Sequence, residues 1–212
     1  VSQNHAERHQ SDVFVYNGFD FSDYGEVDWN APRTHYAFLA KANRRAKNLK
    51  GCIRIAKRNK HRLEVMGGQG FSLSKYVHYN GMVGGARKHR LLNTASALLF
   101  PVRWHEPMGL AIVEAMYFGC PVFGTPYGSL PELIAPETGA LSADFDTLAD
   151  AAAQYEQYDR RAIHQYAVER FSIEQTAPQY VALYARILDG ETLHTHPPGN
   201  PKSEKDGLLA FG

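Results

Sequence analysis

Glu106 and Glu114 stand eight residues apart on either side of Gly109, within the run Arg103-Trp104-His105-Glu106-Pro107-Met108-Gly109-Leu110 and the apolar stretch after it. Gly109 opens a helix in this reading, so Glu106 projects from the preceding loop and Glu114 lies just over one turn inside the helix. The start of a helix offers backbone N–H groups without intrahelical partners, and a glycine there lets an anion approach them closely. A phosphate at that helix start, with two hydrogen-bonding carboxylates beside it, is the chemistry of a nucleotide-sugar site. Spacing alone is weak evidence, because pairs of glutamates on helices are common and usually solvated, so the surrounding elements must decide.

Those elements alternate. Residues 35–40 (HYAFLA), 63–66, 76–79, 97–100 and 121–123 read as strands, and a short apolar run at 13–16 before the Asn17-Gly18 turn is a further strand candidate. Helical patterns occupy 47–59, 86–95 and 110–118, the last closed by Gly119. Beyond Gly139 the pattern is of three helices, at 145–158, 160–169 and 173–188, and residues 192–212 carry proline, glycine and charge without periodicity. Strands and helices alternating at this spacing imply a doubly wound, Rossmann-like parallel sheet, in which ligands bind beyond the carboxyl ends of the strands.

The 212 residues are 44% hydrophobic and 12% aromatic, which suits a packed core. A net charge of +1 gives no global attraction to nucleic acid or to an anionic membrane, so an anion site must be built locally. No run of roughly 18 apolar residues is present, so no spanning helix is expected. The first ten residues lack the pattern of a signal peptide. Cys52 and Cys120 sit in apolar-periodic segments and read as small buried residues without a disulfide, for which a cytosolic setting is the simpler account. The ten histidines are scattered, His105 reads as a residue of shape, and Trp104 reads as core packing.

The stretch 97–133 (ALLFPVRWHEPMGLAIVEAMYFGCPVFGTPYGSLPEL) resembles the signature of the family 4 GT-B glycosyltransferases. There a buried strand leads into a W-x-E-P-F-G-L loop, the second Glu of an E-x7-E motif, E-A-M, a glycine-proline strand and a G-G/S-x-x-E loop. Glu106, Gly109-Leu110, Glu114-Ala115-Met116, Gly119 to Val122 and Gly128 to Glu132 match in that order. Upstream, residues 38–49 (FLAKANRRAKNL) resemble the family's segment whose Arg and Lys neutralise the donor diphosphate. Lys47 falls on the Lys position. Lys41 stands where the family usually has Arg, which keeps the charge but loses the bidentate fork; Arg44 and Arg45 are its alternates. The Gly67-Gly68-x-Gly70 turn resembles the family's G-x-G loop, and residues 77–83 (VHYNGMV) resemble the strand whose end borders the nucleobase, which places the base near Met82 and Val83.

The resemblance implies a retaining glycosyltransferase acting on a nucleotide-diphosphate sugar, with no metal and no cofactor. Lys41, Lys47 and the N–H groups at Gly109-Leu110 would meet the charge of the departing diphosphate. Glu114 would bind the ribose hydroxyls, and Glu106 would hold the donor sugar and support positive charge at its anomeric carbon. The chain corresponds to the C-terminal, donor-binding half of a GT-B glycosyltransferase. Residues 1–30 are the end of the N-terminal domain and the crossover, 31–190 the nucleotide-sugar-binding domain, and 191–212 a tail. The N-terminal, acceptor-binding domain is then a missing partner, without which the chain is expected to be inactive. The alternative is a non-catalytic nucleotide-sugar-binding or protein-interaction module of the same fold.

Overall fold

The computed structural model describes residues 1–199 and 207–212. Six parallel strands form one sheet in the order β3-β2-β1-β4-β5-β6. They are β1 (His35–Leu39), β2 (Leu63–Met66), β3 (Val77–Tyr79), β4 (Ala95–Phe100), β5 (Val122–Gly124) and β6 (Gly139–Leu141). The chain winds outward from β1 through β2 to β3, then returns to the centre and winds the other way from β4. The sheet therefore reverses direction between β1 and β4, and the loops that follow those two strands share one crevice.

β4 is buried along its whole length, as a central parallel strand must be. Its side chains alternate between two cores. Leu98 and Phe100 join Leu92 of α3 (Gly85–Asn93), Ile112 and Met116 of α4 (Leu110–Tyr117), and Ile163 and Phe171 of α7 (Arg160–Phe171). Ala97 and Leu99 face Cys52 and Ile55 of α2 (Leu49–Arg58) and Leu148 and Ala152 of α6 (Phe145–Ala153). Cys52 and Cys120 belong to different cores and are both free. Burial pushes both thiols up, that of Cys120 to about 12.

Several elements depart from the sequence pattern, each for a local reason. Residues 13–16 form no strand; Val15 is buried, the Tyr16 hydroxyl donates to Glu132, and among the described residues the one strand-like pairing of the segment is a bridge between Phe19 and Ser172. A helix, α1 (Gln3–Arg8), forms before them in a stretch that reads as turns. Ser2 caps it by accepting from His5 N–H, and the distant Glu132 carboxylate accepts from Gln3 and Asn4 N–H. α2 starts at Leu49 because Asn48 adopts a left-handed conformation and accepts from Gly51 N–H. α3 stops at Asn93 with the Thr94 hydroxyl donating back to Arg90 O, so Ala95 passes to the strand.

The helix expected over 145–158 breaks after Ala153 into a 3-10 turn, and α5 (Leu130–Leu133) and β6 are too short to impose a period. The last helix is α8 (Ile173–Leu188). Residues 192–199 form no helix or strand and lie against residues 9–12. Residues 200–206 of the expected tail lie outside the described residues. Residues 207–212 run back onto the sheet domain. Among the described residues no helix is long and apolar enough to cross a membrane.

Candidate functional site

The crevice between β1 and β4 is closed by hydrogen bonds between the loops that follow them. Asn48 Nδ2 donates to Pro101 O (2.9 Å), and Arg103 N–H donates to Ala46 O (2.8 Å). These bonds bring the end of the 3-10 turn Arg45–Lys47 against the loop that carries Glu106. Lys47 Nζ donates to Glu106 Oε2 (2.5 Å), and Trp104 Nε1 donates to the same oxygen (2.8 Å). The ammonium also stands 5.0 Å from the Trp104 ring centre and 5.1 Å from that of Phe100, within cation–π range. Glu106 is buried and Lys47 mostly so, with side-chain exposures of 8% and 16%.

The loop is fixed from below by Gly128. It has a φ of +65°, and a Cβ there would stand 2.2 Å from Glu106 N, so only glycine fits. Ser129 N–H donates to Glu106 O (2.9 Å) from the adjoining residue. Gly109, at φ +75°, is the N-cap of α4, and no side chain caps the helix start. Its first-turn N–H groups and its dipole are therefore turned toward whatever occupies the crevice.

A cleft of about 450 Å³ opens here. Lys41, Arg44 and Lys47 line it on the β1 side, and Trp104, Glu106, Gly109 and Leu110 on the β4 side. Three cations, one carboxylate and an uncapped helix start thus share one space, which suits an anion joined to a hydroxyl-bearing group. Lys41 and Arg44 are exposed, and neither side chain has a partner among the described residues. Arg45, the other alternate, does not line the cleft. Lys41 also lines a second, neighbouring cleft of about 370 Å³, with Gly67, Gly68 and Met82 around it. Met82 is 74% exposed, whereas Val83 packs against the core beside α3.

Glu114 lies outside both clefts. Its Oε1 accepts from Lys88 Nζ of α3 (2.6 Å) and from the Tyr24 hydroxyl (3.1 Å), which belongs to the 3-10 turn Phe21–Tyr24. Lys88 Nζ stands 5.5 Å from the Tyr24 ring centre. Burial first, and the Glu114 charge second, raise the Tyr24 phenol above its ordinary range. Glu132, in the short helix α5 that follows β5, serves as an anchor: besides capping α1 it accepts from the Tyr16 hydroxyl (3.0 Å). Burial and that carboxylate push Tyr16 up to about 12.

The sequence pattern leaves out Trp104 as a donor to Glu106, and Lys88 and Tyr24 as partners of Glu114. Trp104 does pack against the core, as expected, but its N–H is committed to the site. Of these contacts, only the N-cap type of Asn48, which seats Lys47, leaves a mark in the sequence. His105 faces away from this cleft, toward another lined by Arg103. Among the described residues no cluster of metal-ligating side chains occurs.

A doubly wound parallel domain whose switch point holds cations, a buried carboxylate and a helix start defines a Rossmann-like domain equipped for a phosphorylated ligand. The model of the "Glycosyl transferases group 1" family matches residues 34–157, more than half of the chain, and the chain belongs to that family. No curated protein matches it. Among solved structures it is similar to AviGT4, a glycosyltransferase involved in avilamycin A biosynthesis, with a TM-score of 0.73 and 24% identity over 84% of this chain and 58% of that one. Sucrose-phosphate synthase from Thermosynechococcus elongatus has a TM-score of 0.66 and 19% identity, over 84% of this chain and 52% of that one. Anabaena HepE, solved in complex with UDP and glucose, has a TM-score of 0.68 and 18% identity, over 81% and 56%. At these identities the likeness is one of fold, that of the Rossmann-like C-terminal half of a GT-B glycosyltransferase. The chain spans between half and three-fifths of the length of these structures.

Proposed function

We propose that this chain is the donor-binding half of a retaining family 4 glycosyltransferase that takes its sugar from a nucleotide-diphosphate sugar. The observation that carries this reading is the Lys47–Glu106 pair, held by Trp104 at the start of α4, across the switch point of the sheet. One cleft there offers positive charge for a diphosphate and a buried carboxylate for sugar hydroxyls.

Breaking the sugar–phosphate bond builds negative charge on the departing diphosphate and positive charge on the sugar ring. Lys41, Lys47 and the N–H groups at Gly109-Leu110 stabilise the first. Glu106 holds the sugar and supports the second, and the ammonium of Lys47 keeps this carboxylate aimed into the cleft. Glu114 binds the ribose hydroxyls, and Met82 and Val83 border the nucleobase. Retention follows from front-face attack assisted by the leaving phosphate. The reading needs no metal and no cofactor, because the lysines and the helix start supply the charge. HepE is a neighbour solved with UDP and glucose, which agrees with a nucleotide-sugar donor.

The acceptor belongs to a second domain in this reading. α8 buries only Thr176 and exposes Val181 (63%), Tyr184 (60%) and Leu188 (87%), an apolar face suited to pack on such a domain. Transfer is then expected only from the two halves together. A cytosolic setting goes with this reading, since both cysteines are free. Calorimetry of the chain against UDP, GDP and ADP tests donor binding. Selective binding of one nucleotide, lost in Glu114→Ala and Lys47→Ala, is the expected result; equal binding in all three proteins removes these residues from the site. A full-length protein that bound donor without transferring or hydrolysing its sugar would be the non-catalytic module instead.

A further inference from the structure

The loop that carries Glu106 has no regular secondary structure between β4 and α4, so no ladder of its own holds it. On its far side from the donor cleft it meets residues 207–212. Leu209 N–H donates to Arg103 O (2.9 Å), and Arg103 Nε donates back to Leu209 O (2.6 Å). The Tyr127 hydroxyl donates to Ala210 O (2.9 Å). Arg103 leads into Trp104 and Glu106. Tyr127 precedes Gly128 and Ser129, whose backbone lies against Glu106. One six-residue segment thus holds both stretches of chain that fix the carboxylate.

The segment is itself anchored at its far end. Phe211 places its ring edge-on to Phe145 at 6.1 Å and covers Gly51 of α2, where an added Cβ would stand 2.8 Å from the ring. Phe145 N–H donates to Gly212 O (2.7 Å), and Gly212 N–H to Ala143 O (3.3 Å). The segment also borders a cleft of about 440 Å³ on the face of the Trp104–Pro107 loop opposite the donor cleft.

We propose that residues 207–212 are a strap that positions Glu106, acting through Arg103 and Tyr127, with Phe211 as its anchor. This rests on the donor-site reading for its meaning in catalysis, but its test does not use a donor. The strap restricts the loop to the conformation in which Trp104 Nε1 and Lys47 Nζ converge on Glu106 Oε2. An irregular segment without such restraint opens locally at low cost.

The chain has two tryptophans, so its 1H–15N spectrum shows two indole N–H signals, one of which belongs to the Trp104–Glu106 hydrogen bond. Trp29→Phe assigns them. In Phe211→Ala, and in the chain without 207–212, the Trp104 indole signal is expected to shift and its exchange with solvent to quicken at least about tenfold. The Trp29 signal stays in place as the control for global unfolding, and Phe211→Tyr restores the wild-type spectrum. Tyr127→Phe, which removes a single exposed hydroxyl, gives a smaller shift of the same signal and serves if Phe211→Ala does not fold. A Trp104 signal unchanged in position and exchange in these variants overturns the strap. A chain that shows the strap effect yet binds no nucleotide contradicts the donor reading alone.

Discussion

Glu106 and Glu114 are held in the same way and by the same kinds of group. Each accepts, on a single oxygen, a lysine ammonium and the polar hydrogen of an aromatic side chain, over whose ring that lysine sits. The two sites differ in what carries these groups. Lys47, Trp104 and Glu106 come from loops after β1 and β4, at the reversal of the sheet, and line the larger of the two site clefts. Lys88, Tyr24 and Glu114 come from two helices and a 3-10 turn, and line neither cleft of the site. Identical local chemistry is therefore carried by different elements: placement at the switch point gives the first trio a cleft to face, while the second also ties the 21–24 turn to α3 and α4.

The largest effect expected from breaking this symmetry is at Lys47. Lys47→Met leaves Glu106 buried with only the indole N–H as partner, and should lower the unfolding free energy by about 3 kcal/mol in urea titrations. Lys47→Met/Glu106→Gln should recover a good part of that loss, since the cost lies in the unpaired charge. Next comes Lys88→Met, expected to cost about 1–2 kcal/mol, because Glu114 is more exposed (15% against 8%) and keeps the Tyr24 hydroxyl. Equal losses at the two lysines would mean that the difference in burial has no energetic weight.

The smallest effect separates the aromatic partners. Tyr24→Phe and Trp104→Phe each remove one hydrogen bond and should cost about 1 kcal/mol at neutral pH. The Tyr24 phenol is held above its ordinary value of 10.0, so the folded chain keeps that proton where the unfolded chain loses it. Its contribution is then full below about pH 10 and declines as the pH rises further. The stability difference between wild type and Tyr24→Phe should shrink from about pH 9 to about pH 11, whereas the Trp104→Phe difference has no phenol to lose. A constant Tyr24 difference across that range would place the phenol's ionisation in the folded protein at its unfolded value.

Much of the frame was legible before any coordinates. The buried run of β4, the glycine at the start of α4 and the alternation of apolar segments each leave a mark of composition or period. So do Glu106 and Gly109, because a carboxylate beside a glycine-opened helix is a local pattern, whereas Lys41 and Lys47 are marked by the resemblance of residues 38–49 to the family 4 glycosyltransferases. What left no mark was held together at a distance. α1 exists because Glu132 satisfies its first N–H groups. β6 is a three-residue strand made by its pairing with β5. The strap at 207–212 lies in a stretch whose composition reads as a tail.

The sequence by itself determined which segments prefer strand or helix and which side chains bring charge, since propensity, burial preference and ionisation belong to each residue and its near neighbours. Only the tertiary structure decided that Lys47 and Glu106 share a cleft while Glu114 does not, and that Trp104 gives its N–H to a carboxylate. It also decided that residues 207–212 meet Arg103. Those outcomes depend on the order in which parallel strands pair, and strand order is set by the packing of both cores on the sheet, which no short window of sequence contains.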